Sequence, residues 1–465
     1  MGMNSFFEHL AKILPENQLK EFELACNRPL IKSIRFLSRV DSRKKIIGYI
    51  GDTYKLESKV SWDENGFYLA KDSRPSLSLD YIRGYFYIQD ASSMFPVAQL
   101  SRILKNQDFF AKNNLYNKYI LDYAASPGGK TIQLADLFED CIIISNDVIK
   151  GRISALYSNI IRSKLTNIIL LNKDALFFGK INLLFDIILA DLPCSGESLI
   201  YKKKLDFKDW NLNEVIFNSK RQKKICSDLL NIVKKDGFLV YSTCTFSKEE
   251  NEDIVDFIIN NNFKNIEIKR LWPHIDNCAG GFCAFLRNDE KENHNKVIDN
   301  DKYLKELPQS YYIYENTDKL IKQLDKISFF DSDKIKNKGY LFQKDNFIFL
   351  FSFPKILKIF YDNCMIFGLP IAKIEKYGIV PLWNGLDYAN KNSTINIAKN
   401  YLEKLSKGED LKYIDLIYDI DKNEKPNNNL NRYIVFKDNE SELFLVKESE
   451  NGIKNLIPSF MMIKS

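Results

Sequence analysis

Histidine is almost missing from this sequence of 465 residues: His9, His274 and His294 are the whole supply. So few, so scattered, they argue against a histidine-based triad or zinc site. The eight cysteines form no Cys-x-x-Cys pair and no cluster with histidine, so no metal is expected. The stretch MGMNSFFEHLAKILPENQ lacks a basic segment followed by an apolar core, and no secretory signal is expected. The cysteines therefore read as free thiols in a reducing, cytoplasmic setting. Long hydrophobic runs are also lacking. None reaches the roughly 18–20 residues of a membrane span, and the strongest candidate, 347–360, is broken by Pro354 and two lysines. No membrane partner is expected. Neither sign of charge dominates. Lys plus Arg number 67 against 61 Asp plus Glu, and the resulting +6 permits a nucleic-acid partner without demanding one.

What is present is ordinary for a folded chain: 45% apolar and 28% charged residues exclude a disordered or collagenous protein. The length corresponds to roughly two to four domains. Residues 1–80 mix a helical stretch (6–26) with strand-like pieces such as 66–69 and read as a small α+β leader domain. Over 81–290, short β-branched runs alternate with helical stretches. The runs are 119–121, 141–145, 168–171, 185–189 and 238–241. Such alternation predicts βαβ units and a mostly parallel sheet, with ligands held where the strands end. The polar segment 288–302 reads as a linker, and 303–465 as a third region with a loop at 420–431.

Five strand ends carry the chemistry. Leu121-Asp122-Tyr123-Ala124-Ala125-Ser126-Pro127-Gly128-Gly129-Lys130-Thr131 joins a strand to a helical stretch, 132–138. Paired glycines at such a turn let a ligand approach the backbone. Gly129-Lys130-Thr131 matches the end of a nucleoside-triphosphate loop, but Ala124 stands where its first glycine belongs, and Pro127 removes an N–H. A nucleoside cofactor fits better. Asp147 ends the second strand 18 residues beyond Gly129, near the spacing of a ribose-gripping carboxylate. Capping a helix is the other reading. Asp174 ends the third strand and could face an adenine amino group or simply close a turn. The fourth strand ends in Asp191-Leu192-Pro193-Cys194-Ser195-Gly196-Glu197, the fifth in Tyr241-Ser242-Thr243-Cys244-Thr245. A cysteine is most often a small buried hydrophobe. Two at the carboxyl ends of separate strands of one sheet, one beside an aspartate, point to reactive thiols over one crevice.

These residues resemble the Nop/Sun family of RNA 5-methylcytosine methyltransferases, in its bacterial RsmF type. The matching stretches are Phe86-Tyr87-Ile88-Gln89-Asp90-Ala91-Ser92-Ser93, Ser126 to Thr131, Pro193 to Glu197, and Tyr241 to Thr245 leading into Glu249-Glu250-Asn251-Glu252. Arg152, Asn159 and Arg162 match the helix after the second strand, and 26–30 matches in the leader. At the C-terminus 369–386 and 452–458 resemble an appended PUA-like region. Ser126 and Leu192 depart from the family's commoner alanines. The resemblance implies an α/β fold: a Rossmann-like S-adenosylmethionine-dependent methyltransferase domain, a small α+β N-terminal domain and a C-terminal PUA-like RNA-binding region.

It also implies roles. Cys244, in Thr-Cys, would be the nucleophile, whereas DNA cytosine methyltransferases use the Pro-Cys cysteine. Cys194 would assist product release, and Asp191 would hold the cytosine edge. S-adenosylmethionine would be held by Ala124, Ala125, Ser126, Pro127, Gly128, Gly129, Lys130, Asp147, Arg152, Asp174 and Asp191. The partner would be RNA, specifically ribosomal small-subunit RNA or its particle. Lysines 202–204 and the group at 220–224 could hold phosphates, or be ordinary solvated charge. Transfer RNA methylation, a non-catalytic ribosome-assembly role and a DNA substrate stand as alternatives. The sequence leaves the oligomeric state open.

Overall fold

Runs of isoleucine and leucine build the centre of the molecule. The computed structural model describes residues 2–29, 31–38, 55–106, 118–181, 183–289, 317–327, 329–376, 378–389, 394–396, 404–405, 407, 409–410, 433–437, 442–449 and 452–456. His294 and the segments 290–302 and 420–431 lie outside them.

The leader begins with two helices, Gly2–Leu10 and Glu16–Cys26, where one stretch is expected from sequence. Pro15 divides them, since its ring and missing N–H disfavour a helix interior but suit a helix start. Four strands follow: β1 (Lys32–Phe36), β2 (Leu56–Lys59), β3 (Gly66–Leu69) and β4 (Phe86–Ile88). They form an antiparallel sheet in the order β2-β3-β1-β4. Alternation along β1 sorts its side chains. Ile34 and Phe36 join Phe67, Leu69 and Phe86 in a small core. Arg35 points the other way, buried, and donates to Asp63 at 3.1 Å and Asp136 at 2.9 Å. Asp136 belongs to the helix Gly129–Leu137, so this ion network ties the leader to the next region.

The central sheet holds β5 (Lys118–Asp122), β6 (Cys141–Asn146), β7 (Ile168–Leu171), β8 (Phe185–Asp191), β9 (Val233–Thr243), β10 (Phe263–Leu271) and β11 (Gly281–Asn288). The five runs read from sequence fall in β5 to β9, which pair in parallel. All residues of β6 and β7 are buried, as a sheet covered by helices on both faces requires. β11 pairs antiparallel with β9, and β10 antiparallel with β11. β10 is an edge strand rich in charge, and gave no clear apolar alternation. β5 lies between β6 and β8, so strand order reverses there. Open α/β sheets place ligands in the crevice above the carboxyl ends at such a reversal. The arrangement is Rossmann-like.

Beyond it come β12 (Tyr340–Lys344), β13 (Phe347–Phe351), β14 (Ile366–Phe367), β15 (Leu369–Glu375) and β16 (Gly378–Pro381). β12, β13, β15 and β16 make an antiparallel sheet. β14 instead pairs with β7 and becomes the eighth strand of the central sheet. Gly368, at φ +59°, makes this change of sheet possible: a Cβ there would sit 2.2 Å from the Leu350 carbonyl oxygen. β17 (Thr394–Asn396), β18 (Tyr433–Lys437), β19 (Glu442–Ser449) and β20 (Gly452–Asn455) form a last sheet. The apolar stretch 347–360 is β13 followed by short turns, and no helix among the described residues is long and apolar enough to cross a membrane.

Candidate active site

The crevice is walled by the loops after β5, β6, β8 and β9. After β5 the chain turns through Ala124, Ala125, Ser126 and Pro127, the last joined by a cis bond, to Gly128 at φ +110°. A Cβ on Gly129 would meet the Tyr87 ring at 2.9 Å, so the leader packs directly against this turn. Thr131, two residues on, anchors the helix by donating to Asp122 Oδ2 at 2.6 Å. Burial pushes the Asp122 carboxyl up to about 7.

Asp147 is buried at the end of β6. Its Oδ2 accepts from the Ser126 amide at 3.2 Å and its Oδ1 from the Ile149 amide at 2.9 Å. Arg152 approaches it to 3.5 Å and also donates to the Ser126 carbonyl. Both oxygens of its carboxylate thus organise the loops after β5 and β6. Asp174 is exposed and caps the helix Ala175–Lys180 through the Phe177 amide at 3.1 Å, the turn role weighed from sequence. One of its oxygens makes that bond. Sequence reasoning missed three neighbours. Val148, Ile149 and Leu176 follow these two aspartates and are 46%, 41% and 62% exposed. Exposed aliphatic groups beside carboxylates at adjacent strand ends suit the faces of a nucleoside. No mark in the sequence separates them from core residues.

Above β8 and β9 the two thiols meet: Cys194 Sγ lies 3.2 Å from Cys244 Sγ. Each sulfur is part-buried and the other six cysteines are buried. The pair shares a proton. The hydrogen bond from Cys194 favours the thiolate at Cys244 and lowers its pKa; the lysines 202 and 130 act in the same direction, against burial and Asp191. The same bond, with burial and Glu250, raises the Cys194 thiol well above the ordinary range. Lys130, the activator conjectured from sequence, is mainly engaged elsewhere. Its Nζ donates to Asp191 Oδ2 at 2.6 Å, and the Ser242 hydroxyl donates to Asp191 Oδ1 at 2.7 Å. Burial alone would lower the Lys130 pKa, but the carboxylate outweighs it and the ammonium is held. Of the basic stretch at 202–204, Lys203 donates to the Cys26 carbonyl and Lys202 lies 4.0 Å from Asp90. Lys203 thus faces the leader, while Lys202 is close enough to Cys244 to favour its thiolate. Lys220, Lys223 and Lys224 lie on the exposed face of the helix Leu212–Leu230.

Residues 111–287 match a family model described as 16S rRNA methyltransferase RsmB/F, and residues 3–91 match the N-terminal domain of 16S rRNA methyltransferase RsmF. Over these two regions the chain is similar to the RsmB/F family. Among its relatives, the ribosomal RNA small subunit methyltransferase F of Vibrio cholerae is 34% identical over 307 residues, 61% of this chain and 63% of that protein. The protein of the same name from Citrobacter koseri is 31% identical over 310 residues, again 61% and 63%. The match thus spans less than two thirds of these relatives' length. A methyltransferase homolog from Pyrococcus horikoshii has a similar structure, with TM-score 0.52 and 25% identity over 60% of this chain and 93% of that one. NSun6 from the same organism, solved with SFG, has the same fold at TM-score 0.51 and 21% identity, over 62% and 98%. Neither RsmB/F model match extends past residue 287.

Proposed function

We propose that this protein methylates carbon 5 of cytosine in RNA, using S-adenosylmethionine, with small-subunit ribosomal RNA as its substrate. The observation that carries this reading is the thiol pair, 3.2 Å apart, at the carboxyl ends of β8 and β9 in a sheet with a nucleoside-type crevice. The similarity of residues 111–287 to the RsmB/F model supports the choice of ribosomal RNA. The crevice fits the cofactor through its donor set. The turn 124–130 would border the methionine end, Asp147 and Arg152 the ribose, and Asp174 with Val148 and Ile149 the adenine. When bound, S-adenosylmethionine supplies an electrophilic methyl group.

This chain's own residues would do the rest. The Cys244 thiolate adds to carbon 6 of the ring, which makes carbon 5 enamine-like and nucleophilic. Asp191, held by Lys130 and Ser242, hydrogen-bonds the ring edge and stabilises charge as the ring is attacked. Once carbon 5 is substituted, its proton leaves and the thiolate is expelled. Cys194, within reach of Cys244, assists that release. A paired cytosine hides carbons 5 and 6 in the stack, so the target is unpaired or flipped out. Such a protein acts in the cytoplasm. The region 303–465 extends the RNA contact as a PUA-like module, and 1–80, whose sheet is completed by β4 at 86–88, is a leader to the methyltransferase domain at 81–290.

Purified protein, labelled S-adenosylmethionine and three RNAs test the reading: small-subunit particles, naked 16S ribosomal RNA and transfer RNA. Labelled 5-methylcytosine in ribosomal RNA, absent with Cys244→Ala, is the expected result. Label in transfer RNA alone would replace the substrate. No label in any RNA would overturn the reaction.

A further inference from the structure

Two buried carboxylates hold the cysteine loops together from opposite sides. Glu197 belongs to the Cys194 loop, yet it accepts from the loop of Cys244: the Phe246 amide at 2.7 Å and the Ser247 hydroxyl at 2.5 Å. Glu250 follows Cys244, yet it accepts from the other loop: the Ser195 amide at 3.1 Å. Both glutamates are fully enclosed. Two further bonds cross the same seam, between the Ser195 and Thr245 hydroxyls at 2.8 Å and from the Ser198 amide to the Cys244 carbonyl at 2.9 Å.

Each carboxylate is in turn held from outside. Gln222 donates to Glu250 at 2.8 Å and to the Pro193 carbonyl at 3.0 Å. The Trp210 indole donates to Glu197 at 2.7 Å, and that ring lies 5.8 Å from Phe6 and 5.1 Å from His9 of the leader. Nothing in the proposed chemistry uses either glutamate. Their charge is costly to bury. What they do have is reciprocal geometry: each one spans the gap between the two strand ends.

We propose that Glu197 and Glu250 are positioning residues, a reciprocal clasp that sets the separation of the Cys194 and Cys244 thiols. The inference rests on the proposed methyl transfer only for its effect on rate. The clasp itself is a statement about thiol geometry. Reach should matter more than charge. Glu250→Gln keeps an acceptor for the Ser195 amide, and its new amide can face Gln222 Oε1, which has no partner. Glu250→Asp keeps the charge and withdraws it by one methylene.

The test uses limiting diamide, an azo oxidant that takes two electrons and two protons from a thiol pair and leaves a disulfide. Only Cys194 and Cys244 are partly exposed, and mass spectrometry reads the yield of their disulfide. Wild type is expected to form it readily, and Glu250→Gln to stay close to wild type. Glu250→Asp and Glu197→Asp should lose most of the yield and about tenfold or more in kcat, since a misplacement of about 1 Å can cost 100-fold. S-adenosylmethionine KM should stay near its wild-type value, and melting temperature shows whether each variant is folded. Folded Asp variants with wild-type yield and kcat overturn the clasp. So does a Gln variant that falls below the Asp variant, which would make charge the feature that matters. If wild type methylates no RNA, the functional reading fails on its own, while the disulfide yields still decide the clasp.

Discussion

Cys194 and Cys244 share a hydrogen bond between their sulfurs at 3.2 Å, although the two residues are 50 positions apart. That bond makes the thiols unequal. Lys202 and Lys130 favour negative charge at Cys244, while Glu250 disfavours it at Cys194. Both effects favour a thiolate at Cys244 over one at Cys194. A free thiol, with pKa about 8.5, is mostly protonated at neutral pH, so a donor supplied by the second cysteine has a catalytic use before any release step.

The first prediction separates the two cysteines. Cys194→Ala removes the donor, so the pKa of Cys244 should rise and its thiolate fraction at neutral pH should fall. Iodoacetamide alkylation of Cys244, followed against pH, should shift to higher pH in this variant. With RNA and cofactor, Cys194→Ala should accumulate a covalent RNA adduct visible on a denaturing gel, and Cys244→Ala should form none. An unshifted alkylation profile would remove Cys194 as the activator.

The second concerns Lys130. Its ammonium is the counter-ion of Asp191 at 2.6 Å. Lys130→Met keeps the aliphatic stem and deletes the charge, leaving Asp191 with Ser242 alone. Loss of one well-placed donor costs roughly 100- to 1,000-fold in kcat. Single-turnover methylation with a folded variant should show a loss of that order. A loss below tenfold would mean that Asp191 needs no cation.

Asp122 sets the third. Burial raises its carboxyl to about 7 from an ordinary 3.8. The folded chain thus keeps a proton that the unfolded chain has released over that window. Its contribution to stability is whole below about pH 4 and is lost as pH rises through about 7. The amount is on the order of a few kcal/mol. Asp122→Asn cannot titrate, so its melting temperature should change less than wild type's between about pH 5 and 8. Parallel curves for the two proteins would show that another group governs the slope.

The fourth tests the leader. Arg35 and Asp136 are each about 1% exposed at the side chain, and their 2.9 Å pair spans 101 residues. Removing one member of such a pair leaves a buried charge alone and costs about 3–5 kcal/mol. Arg35→Ala should lower the urea midpoint accordingly. Asp63 and Asp136 would both be left without the guanidinium, so Arg35→Lys should recover only part of the loss. A midpoint unchanged by Arg35→Ala would mean that the leader sheet contributes nothing to the stability of the central domain.

Much of the site was legible in the chain because its residues stand at strand ends. Ile142 to Ile144 or Ile168 to Leu171 announce buried strands through composition alone. The polar residue that follows each run then falls at the crevice by topology. Asp147, Asp191, Cys194 and Cys244 were found in this way. Val148, Ile149 and Leu176 were overlooked because an exposed aliphatic residue has no mark in a sequence that separates it from a core one. Lys203 looked like a phosphate ligand, and the fold turns it to the Cys26 carbonyl of the leader. Pro15 ended a helix that a window over 6–26 joined.

Local order needs only neighbours in sequence. Side-chain alternation, β-branched runs and a Gly-Gly turn therefore determined the strands β5 to β9 and the strand-end positions of the two cysteines, whereas the helix read from 132 starts earlier, at Gly129. The remaining decisions were made by contacts between distant residues. Which sulfur holds the proton depends on charges brought from the loops of Lys130, Lys202 and Glu250. That Glu197 and Glu250 face inward depends on amides roughly 50 positions away. The placement of β14 on β7 joins residues nearly 200 apart. A hydrogen bond or an ion pair is a relation in space, and at such separations only the closed tertiary structure brings its two partners within reach.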